Sequence, residues 1–236
     1  MKNNIEGGKP EKKLSPEEKE IARSLENFPF LLKKDKVFLV LVWRGLKTAS
    51  SVYILSDAPA SAVDDLRKIA EKAGLFFKFD REIMEDSRGL TKGKVCFVAN
   101  NQKDLDLISK LWFGDHDNDP AVYKEIGRMS GFSQTAIDVY EKISEAGILK
   151  LPKKEKYKAL QKYVLSYGEK KNYLLCTNEV EVIPFSVLFY MPREHYAKEM
   201  GVPRKWAKEV KSVVPRLYEQ FTGPFVRSVV ASGELK

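Results

Sequence analysis

The polar and apolar positions at the start of the chain predict a flexible tail followed by a short helix. Residues 1–14 are mostly polar and contain no apolar periodicity that would anchor them, so we expect a flexible tail. Ser15 and Glu18 have the spacing of a capping box, and Pro16 suits the first position of a helix. A helix is therefore predicted to begin at Pro16 and to end near Glu26.

The pattern that follows is typical of two strands and a helix, and the same order then recurs. The predicted elements are strands at 36–44 and 51–56, a helix at 57–73, strands at 75–79 and 94–99, and a helix from 100 to about 113. Gly74 stands where a helix commonly ends in a left-handed glycine. We therefore expect an α+β layer domain in residues 15–114, a mixed sheet with one face covered by two helices.

The second half of the chain has a different pattern. Residues 115–119 form a polar hinge, and helical spacing dominates from 121 to 167 and again from 192 to 221. β-rich runs within 171–190 predict one or two strands. We expect a mainly helical, basic domain in residues 120–236, and the pattern leaves open whether it folds separately from the first part.

Composition and cysteine content narrow the class of protein. Hydrophobic residues make up 43% of the 236 residues, which supports a folded core and excludes a disordered protein. The longest apolar run, Val37 to Trp43, is too short to cross a bilayer, and the polar N-terminus is not a signal peptide. A pairing of Cys96 with Cys176 is conceivable, but without an export signal we expect two buried free thiols in a cytoplasmic protein.

The positive charge of the chain is concentrated in its last third. Residues 1–149 contain 24 Lys/Arg and 24 Asp/Glu, whereas residues 150–236 contain 17 Lys/Arg and 9 Asp/Glu, which accounts for the net charge of +8. Local positive charge attracts polyanions and speeds their capture. A well-solvated surface on a basic protein explains the same residues, so both interpretations stay open.

Residues 123–149 resemble a helix-turn-helix motif. Gly127 lies four positions before a turn glycine, Gly131, and Ile137 lies six positions after it, while Ser133 can cap the second helix. A small residue lets the two helices approach, and the glycine takes the left-handed conformation of the turn. The resemblance implies a DNA-binding corner, although any tight helical corner favours the same residues.

The second helix of this corner would be the one that reads bases. Its N-terminal end places Gln134 and Thr135 as candidate nucleic-acid contacts. The same helix contains Asp138 and Glu141 against Lys142 alone, and a negative helix is unfavourable in a groove lined by phosphates. The hypothesis of base reading and that of a purely structural corner therefore remain side by side.

Residues 94–140 also resemble a family of uncharacterised prokaryotic proteins. In that family a strand and a helix precede a Gly-Arg-Leu-Leu-Gly-Tyr-Pro-x-Cys-Cys-Val segment, which residues 127–137 match in both glycines and the arginine. Thr135 and Ala136 stand where that family has its two cysteines. Any chemistry of those cysteines is therefore not implied here, and the resemblance indicates no activity.

Candidate metal, cofactor and catalytic sets are absent from the pattern. The alternating aspartates of residues 115–119 resemble a calcium loop, but Pro120 stands where such a loop needs its glycine. Asp119 and Pro120 are better explained as the cap and first residue of a helix. His116 and His195 have no partners at catalytic spacing, and no phosphate loop or dinucleotide motif occurs. We expect no metal and no cofactor, and whether the protein is an enzyme stays open.

The basic third supplies the remaining candidate site. A predicted helix within 150–171 has Tyr157, Leu160, Val164 and Tyr167 at helical spacing, which predicts an apolar stripe facing the core. Lysines and arginines on the other faces of this helix and of the C-terminal helices are candidate phosphate contacts. They are Lys154, Lys158, Lys162, Arg204, Lys205, Lys208, Lys211 and Arg216.

These observations favour an intracellular protein that binds nucleic acid mainly through phosphates. Two other functions fit the same charges. One is an enzyme or binding protein for a small anionic ligand held in a cleft between the two parts of the chain. The other is an interaction module for an acidic protein. No membrane partner is expected, because the apolar faces of the basic helices are predicted to pack into the core.

Overall fold

The computed structural model describes residues 13–83, 93–112, 120–188 and 191–232. Its helices are α1 (Pro16–Asn27), α2 (Lys33–Trp43), α3 (Ala62–Lys72), α4 (Gln102–Trp112), α5 (Pro120–Met129), α6 (Gln134–Glu145), α7 (Lys153–Leu160), α8 (Tyr167–Cys176), α9 (Ile183–Val187), α10 (Tyr196–Glu199), α11 (Gly201–Val213) and α12 (Pro215–Ala231). The strands are β1 (Ala49–Leu55), β2 (Phe76–Ile83) and β3 (Gly93–Ala99), and single 3-10 turns lie at Ile148–Lys150 and Val180–Val182. The fold class is α+β, as predicted.

The first helix begins as the sequence predicts. The backbone N–H of Glu18 donates to the hydroxyl of Ser15 over 3.1 Å, and the Glu18 carboxylate accepts from the N–H of Ser15 over 2.8 Å. This capping box satisfies two backbone donors that a helix leaves free at its start. Ile21 and Leu25 of α1 are buried in the core. The predicted tail lies almost wholly outside the described residues.

The predicted strand at 36–44 is wrong, because this segment is the helix α2. Its central residues are buried on all sides, with Val37, Val40, Leu41 and Val42 each 0% exposed. The helix packs against α1, β1, α11 and α12, so it has no polar face and no helical period in its sequence. A short apolar run of this kind is indistinguishable from a buried strand by periodicity.

The sheet differs from the expected mixed sheet. Its three strands are antiparallel throughout, in the order β1-β3-β2, and Ala99 of β3 is opposite both Ala49 and Phe76. Because residues 36–44 are helical, the expected repeat of strand-strand-helix does not exist. β2 and β3 follow each other directly in the chain, which suits an antiparallel pair.

Both faces of the sheet are covered, whereas we expected helices on one face only. Side chains such as Val52 and Cys96 join the core formed with α2 and α3. Side chains of the opposite face, such as Phe97, pack with Leu105 and Ile108 of α4 and with Met129 of α5. β3, whose residues other than Lys94 are buried, contributes to both cores, which explains why its sequence shows no alternation of polar and apolar residues.

The strands expected within 171–190 are also wrong. The β-rich runs form the end of α8, the 3-10 turn Val180–Val182 and α9, and residues 120–188 and 191–232 contain no β-strand, only an isolated bridge between Val164 and Pro192. A capping box between Ser166 and Glu169 starts α8. Tertiary packing buries the apolar residues of this region in helical form, so their β-propensity does not decide the structure.

One hydrophobic core contains residues from both halves of the chain. Leu39 of α2 and Val52 of β1 belong to the same buried cluster as Trp206 of α11. The guanidinium of Arg44 also joins the two halves, because it donates to Glu18 over 2.9 Å and to Glu209 over 2.7 Å. The predicted boundary between 114 and 120 stays a prediction. No helix in the described ranges is long and apolar enough to span a membrane.

Candidate functional site

The corner between α5 and α6 has the geometry that its glycines predict. Gly131 has φ +74°, the left-handed conformation, and a Cβ atom there would overlap the carbonyl oxygen of Leu46. A Cβ atom at Gly127 would lie 3.0 Å from Cγ1 of Ile137 on the facing helix. The two glycines therefore serve the turn and the close helix crossing.

The N-terminal end of α6 is engaged with the rest of the protein. The hydroxyl of Ser133 accepts from the N–H of Ala136 over 3.1 Å and donates to the carboxylate of Glu199 over 2.5 Å. Glu199 is 2% exposed, so this end of the helix is packed against the body of the protein. Gln134 is exposed, and its amide donates to Asp138 over 2.6 Å, while Thr135 is half-buried. This arrangement favours a structural corner, and base reading by Gln134 and Thr135 stays a prediction.

A second feature is the surface of α7, which we call the α7 surface: Lys154, Lys156, Tyr157, Lys158, Leu160, Gln161 and the following Lys162. All but Lys162 line an open concavity on α7. Lys154, Lys158 and Lys162 are exposed, and none of the four lysines has an ion pair among the described residues. Glu155 is the single acidic residue of α7. The surface therefore presents uncompensated positive charge.

The tyrosine of the α7 surface is exposed, although we expected it in the core. Tyr157 is 59% exposed and Tyr167 is 47% exposed. The expected stripe does not form because α7 ends at Leu160 and a new helix, α8, begins after Ser166. The exposed ring of Tyr157 therefore lies among lysines that have no ion pair within the described residues.

The candidate basic residues of α11 and α12 separate into paired and free groups. Arg204 donates to the carboxylate of Glu179, with 2.9 Å between Nη2 and Oε2. Lys211 donates to Glu181 over 2.9 Å. The free group, without an ion pair among the described residues, consists of the exposed residues Lys205, Lys208 and Arg216.

The glutamates of these ion pairs lie on one wall of a cleft of about 410 Å³. The opposite wall is α11, from which Arg204, Lys208 and Lys211 line the cleft. Hydrogen bonds from Tyr218, over 2.6 Å, and from Lys211 lower the pKa of Glu181. Burial and this carboxylate raise the pKa of the Tyr218 hydroxyl, so it remains a donor at neutral pH. No local sequence pattern indicates Glu179, Glu181 or Tyr218 as site residues, because the residues with which they form hydrogen bonds are distant along the chain.

Two ionisable residues are buried near the junction of α2 and the sheet, and sequence reasoning missed both. Lys47 is 5% exposed, with Nζ 3.9 Å from the ring centre of Phe38 and 5.6 Å from that of Trp206. Burial, with repulsion from Lys34, lowers the pKa of Lys47 to about 7. Asp35 is 1% exposed, and burial raises its pKa to about 6.

The described ranges give little evidence for a metal site or for a reactive thiol. No group of three His, Cys, Asp or Glu side chains that would hold a metal ion occurs there, and the hinge at 115–119 lies outside them. Cys96 is buried, and burial raises the pKa of its thiol to about 12, so it is unreactive at neutral pH. Cys176 is exposed, which contradicts the expectation that both thiols are buried.

The fold and surface thus define an α+β protein whose basic helical part presents two features, a surface of free lysines with an exposed tyrosine and a separate charged cleft. No known protein family, curated protein or solved structure matches the chain. The resemblances of residues 94–140 and 123–149 therefore stay predictions.

Proposed function

We propose that the protein binds nucleic acid, mainly through phosphate contacts made by the α7 surface. The observation that supports this proposal is the set of four lysines without ion pairs around an exposed Tyr157. A lysine that has no carboxylate partner is available to neutralise a phosphate and to release its counterion. Arg204 and Lys211 would first have to leave their glutamates, so they contribute less.

Tyr157 gives this surface a preference for single strands. In a duplex the faces of the bases are stacked on each other, whereas a single strand leaves them free to stack on an aromatic side chain. The ring of Tyr157 is 59% exposed, and Lys154 and Lys158, which lie one turn apart on α7, line the same concavity. The lysines would bind phosphates next to a base that stacks on the ring.

The first test measures binding of a fluorescent single-stranded oligonucleotide as a function of salt between about 50 and 200 mM. The triple variant Lys154→Gln, Lys158→Gln, Lys162→Gln should flatten the log-log salt slope by about 2, since each phosphate contact on a single strand contributes about 0.7. The matched control changes three exposed lysines of the neutral half, Lys19, Lys103 and Lys110, to Gln and should leave the slope unchanged. Absence of salt-dependent binding at about 50 mM salt would refute the proposal.

The second test separates stacking from charge. Tyr157→Ala should weaken single-strand binding by about five-fold or more, since a base stacked on an aromatic ring contributes about 1–3 kcal/mol. Duplex binding should change little. The control is Tyr167→Ala, which removes another exposed tyrosine that does not line the concavity. An acidic protein partner would instead depend on the lysines and be insensitive to Tyr157→Ala.

We also propose a cytoplasmic location. The support is chemical: Cys96 and Cys176 are both free thiols, and Cys176 is exposed. An exposed free thiol persists in a reducing compartment, whereas oxidising compartments favour its conversion to a disulfide. Labelling of Cys176 by a thiol reagent in freshly lysed cells should succeed without prior reduction, and labelling only after reduction would contradict the proposed location.

A further inference from the structure

Three cations on one face of α11 meet two carboxylates on the facing wall of the cleft. Arg204, Lys208 and Lys211 are spaced by four and three residues, so they lie along one face of the helix. The facing wall comes from residues 178–182, where Glu179 and Glu181 are separated by Val180. The cleft is lined by all of these residues.

The two ion pairs along this row of three cations leave the middle one, Lys208, without a carboxylate partner within the described ranges. Arg204 is paired with Glu179, and Lys211 is paired with Glu181, which the hydroxyl of Tyr218 also holds. Lys208 lies between the two pairs and has no ion pair or hydrogen bond among the described residues. The row therefore has one more positive than negative charge, and the excess belongs to Lys208, which lines the cleft.

Each glutamate of the facing wall is committed to an outer cation, Glu179 to Arg204 and Glu181 to Lys211, so neither pairs with Lys208. The guanidinium of Arg204 makes two hydrogen bonds to Glu179 and a further one to the hydroxyl of Tyr173. An anion that enters the cleft meets a free ammonium group at Lys208, flanked by two cations that are already paired with glutamates. This single uncompensated positive charge on a concave surface favours an oxyanion over a neutral ligand.

We propose that this cleft is a binding site for a small oxyanion, a free phosphate or the phosphate group of a small molecule, with Lys208 as its principal contact. The volume of about 410 Å³ is in the range of small-molecule sites. A second cleft of about 370 Å³ shares Glu181, Lys211 and Tyr218, and it is also lined by Glu219 and Arg227. It offers room for the remainder of a phosphorylated small molecule. This site is separate from the α7 surface and does not rest on the proposed nucleic-acid function.

The test titrates inorganic phosphate, up to about 50 mM at constant ionic strength, into the full chain and follows backbone amide chemical shifts. Saturable shifts should appear in residues 178–182 and around Lys208, with a dissociation constant in the millimolar range. Lys208→Met should weaken phosphate binding by about five-fold or more. The matched control is Lys205→Met, because Lys205 is also exposed and unpaired on α11 but does not line the cleft.

The outcomes distinguish this site from general attraction by a basic surface and from a nucleic-acid contact. Equal loss of phosphate binding in both variants, or shifts that do not saturate, would overturn the proposal. Lys208→Met should leave oligonucleotide affinity unchanged. An equal loss of oligonucleotide and phosphate affinity would assign the cleft to a nucleic-acid surface and overturn the small-ligand site. A protein that binds phosphate but no oligonucleotide would uphold this site while refuting the proposed function.

Discussion

Lys47 provides the sharpest test of the energetics of this fold, because it holds an ammonium group in an almost fully buried position. The side chain is 5% exposed and lies between the rings of Phe38 and Trp206. Removal from water, reinforced by the charge of Lys34, lowers its pKa from 10.5 to about 7. We expect the substitution Lys47→Met, which shortens the unbranched side chain by one atom and removes the charge, to stabilise the protein at neutral and acidic pH.

The size of the effect follows from the difference in proton binding between the two states. The pKa of Lys47 is lowered from 10.5 to about 7. At about 1.36 kcal/mol per unit, holding the charged form of Lys47 in the folded protein therefore costs roughly 5 kcal/mol. Each aromatic ring offsets about 0.5–2 kcal/mol of this by attracting the cation. The expected gain in unfolding free energy for Lys47→Met is therefore about 1–4 kcal/mol at about pH 6.

The sign of the pH dependence is fixed by the direction of the shift. Between about pH 7 and pH 10.5 the unfolded chain binds a proton at Lys47 that the folded protein does not bind, so stability rises with pH. The loss of stability is complete below the folded pKa of about 7 and absent above 10.5. The advantage of Lys47→Met over the unsubstituted protein should therefore shrink steadily as the pH is raised.

Urea unfolding of both proteins at about pH 6, 8 and 10 measures this difference directly. Lys103→Met, which changes an exposed lysine of α4, is the control and should show no dependence of its effect on pH. A variant that is less stable than the unsubstituted protein at every pH, or one whose effect is the same at about pH 6 and 10, would refute the reasoning. Either result would mean that the ammonium group reaches water or a carboxylate partner.

Two further substitutions test the corner and the second buried charge. Gly131→Ala should destabilise the protein by about 2 kcal/mol more than Gly147→Ala in urea unfolding. Both glycines have the left-handed conformation, but only Gly131 lacks space for a Cβ atom. Equal effects of the two substitutions would show that the contact with Leu46 relaxes freely. Asp35→Asn should stabilise the protein by about 1–2 kcal/mol at about pH 8. The pKa of Asp35 is raised to about 6 in the folded protein, so at about pH 8 the folded protein holds a charged carboxylate in a buried position that disfavours the charge. The gain should vanish below about pH 4, and a gain that persists there would contradict the assignment.

The elements that the sequence predicted correctly are those with local signals. The capping residues around Pro16, the glycine after α3 and the glycine of the α5–α6 corner each act within a few residues of the chain. The sequence pattern predicts a strand where the helix α2 forms, because the segments that enclose this helix are distant from it along the chain. It is enclosed by β1, α11 and α12, so every face is apolar and the helical period disappears.

The candidate site was predicted only in part for the same reason. The sequence identifies which residues are charged, but not which of them meet a partner. Arg204 and Glu179 are 25 residues apart, and no local pattern links them. The exposure of Tyr157 follows from the end of α7 at Leu160, a break that the continuous apolar spacing did not reveal. Burial of Lys47 against Trp206 likewise depends on packing between the two halves of the chain.

The division between paired and free cations sets an upper limit on the salt dependence of nucleic-acid binding. The net charge of +8 counts every lysine and arginine equally, but Arg204 and Lys211 already have carboxylate partners. The α7 surface offers four lysines without ion pairs. At about 0.7 for each contact with a single strand, its salt slope should not exceed about 3 in magnitude. A steeper slope would require Lys205, Lys208 or Arg216 to bind phosphates at the same time, and would then be reduced by their substitution as strongly as by changes on α7.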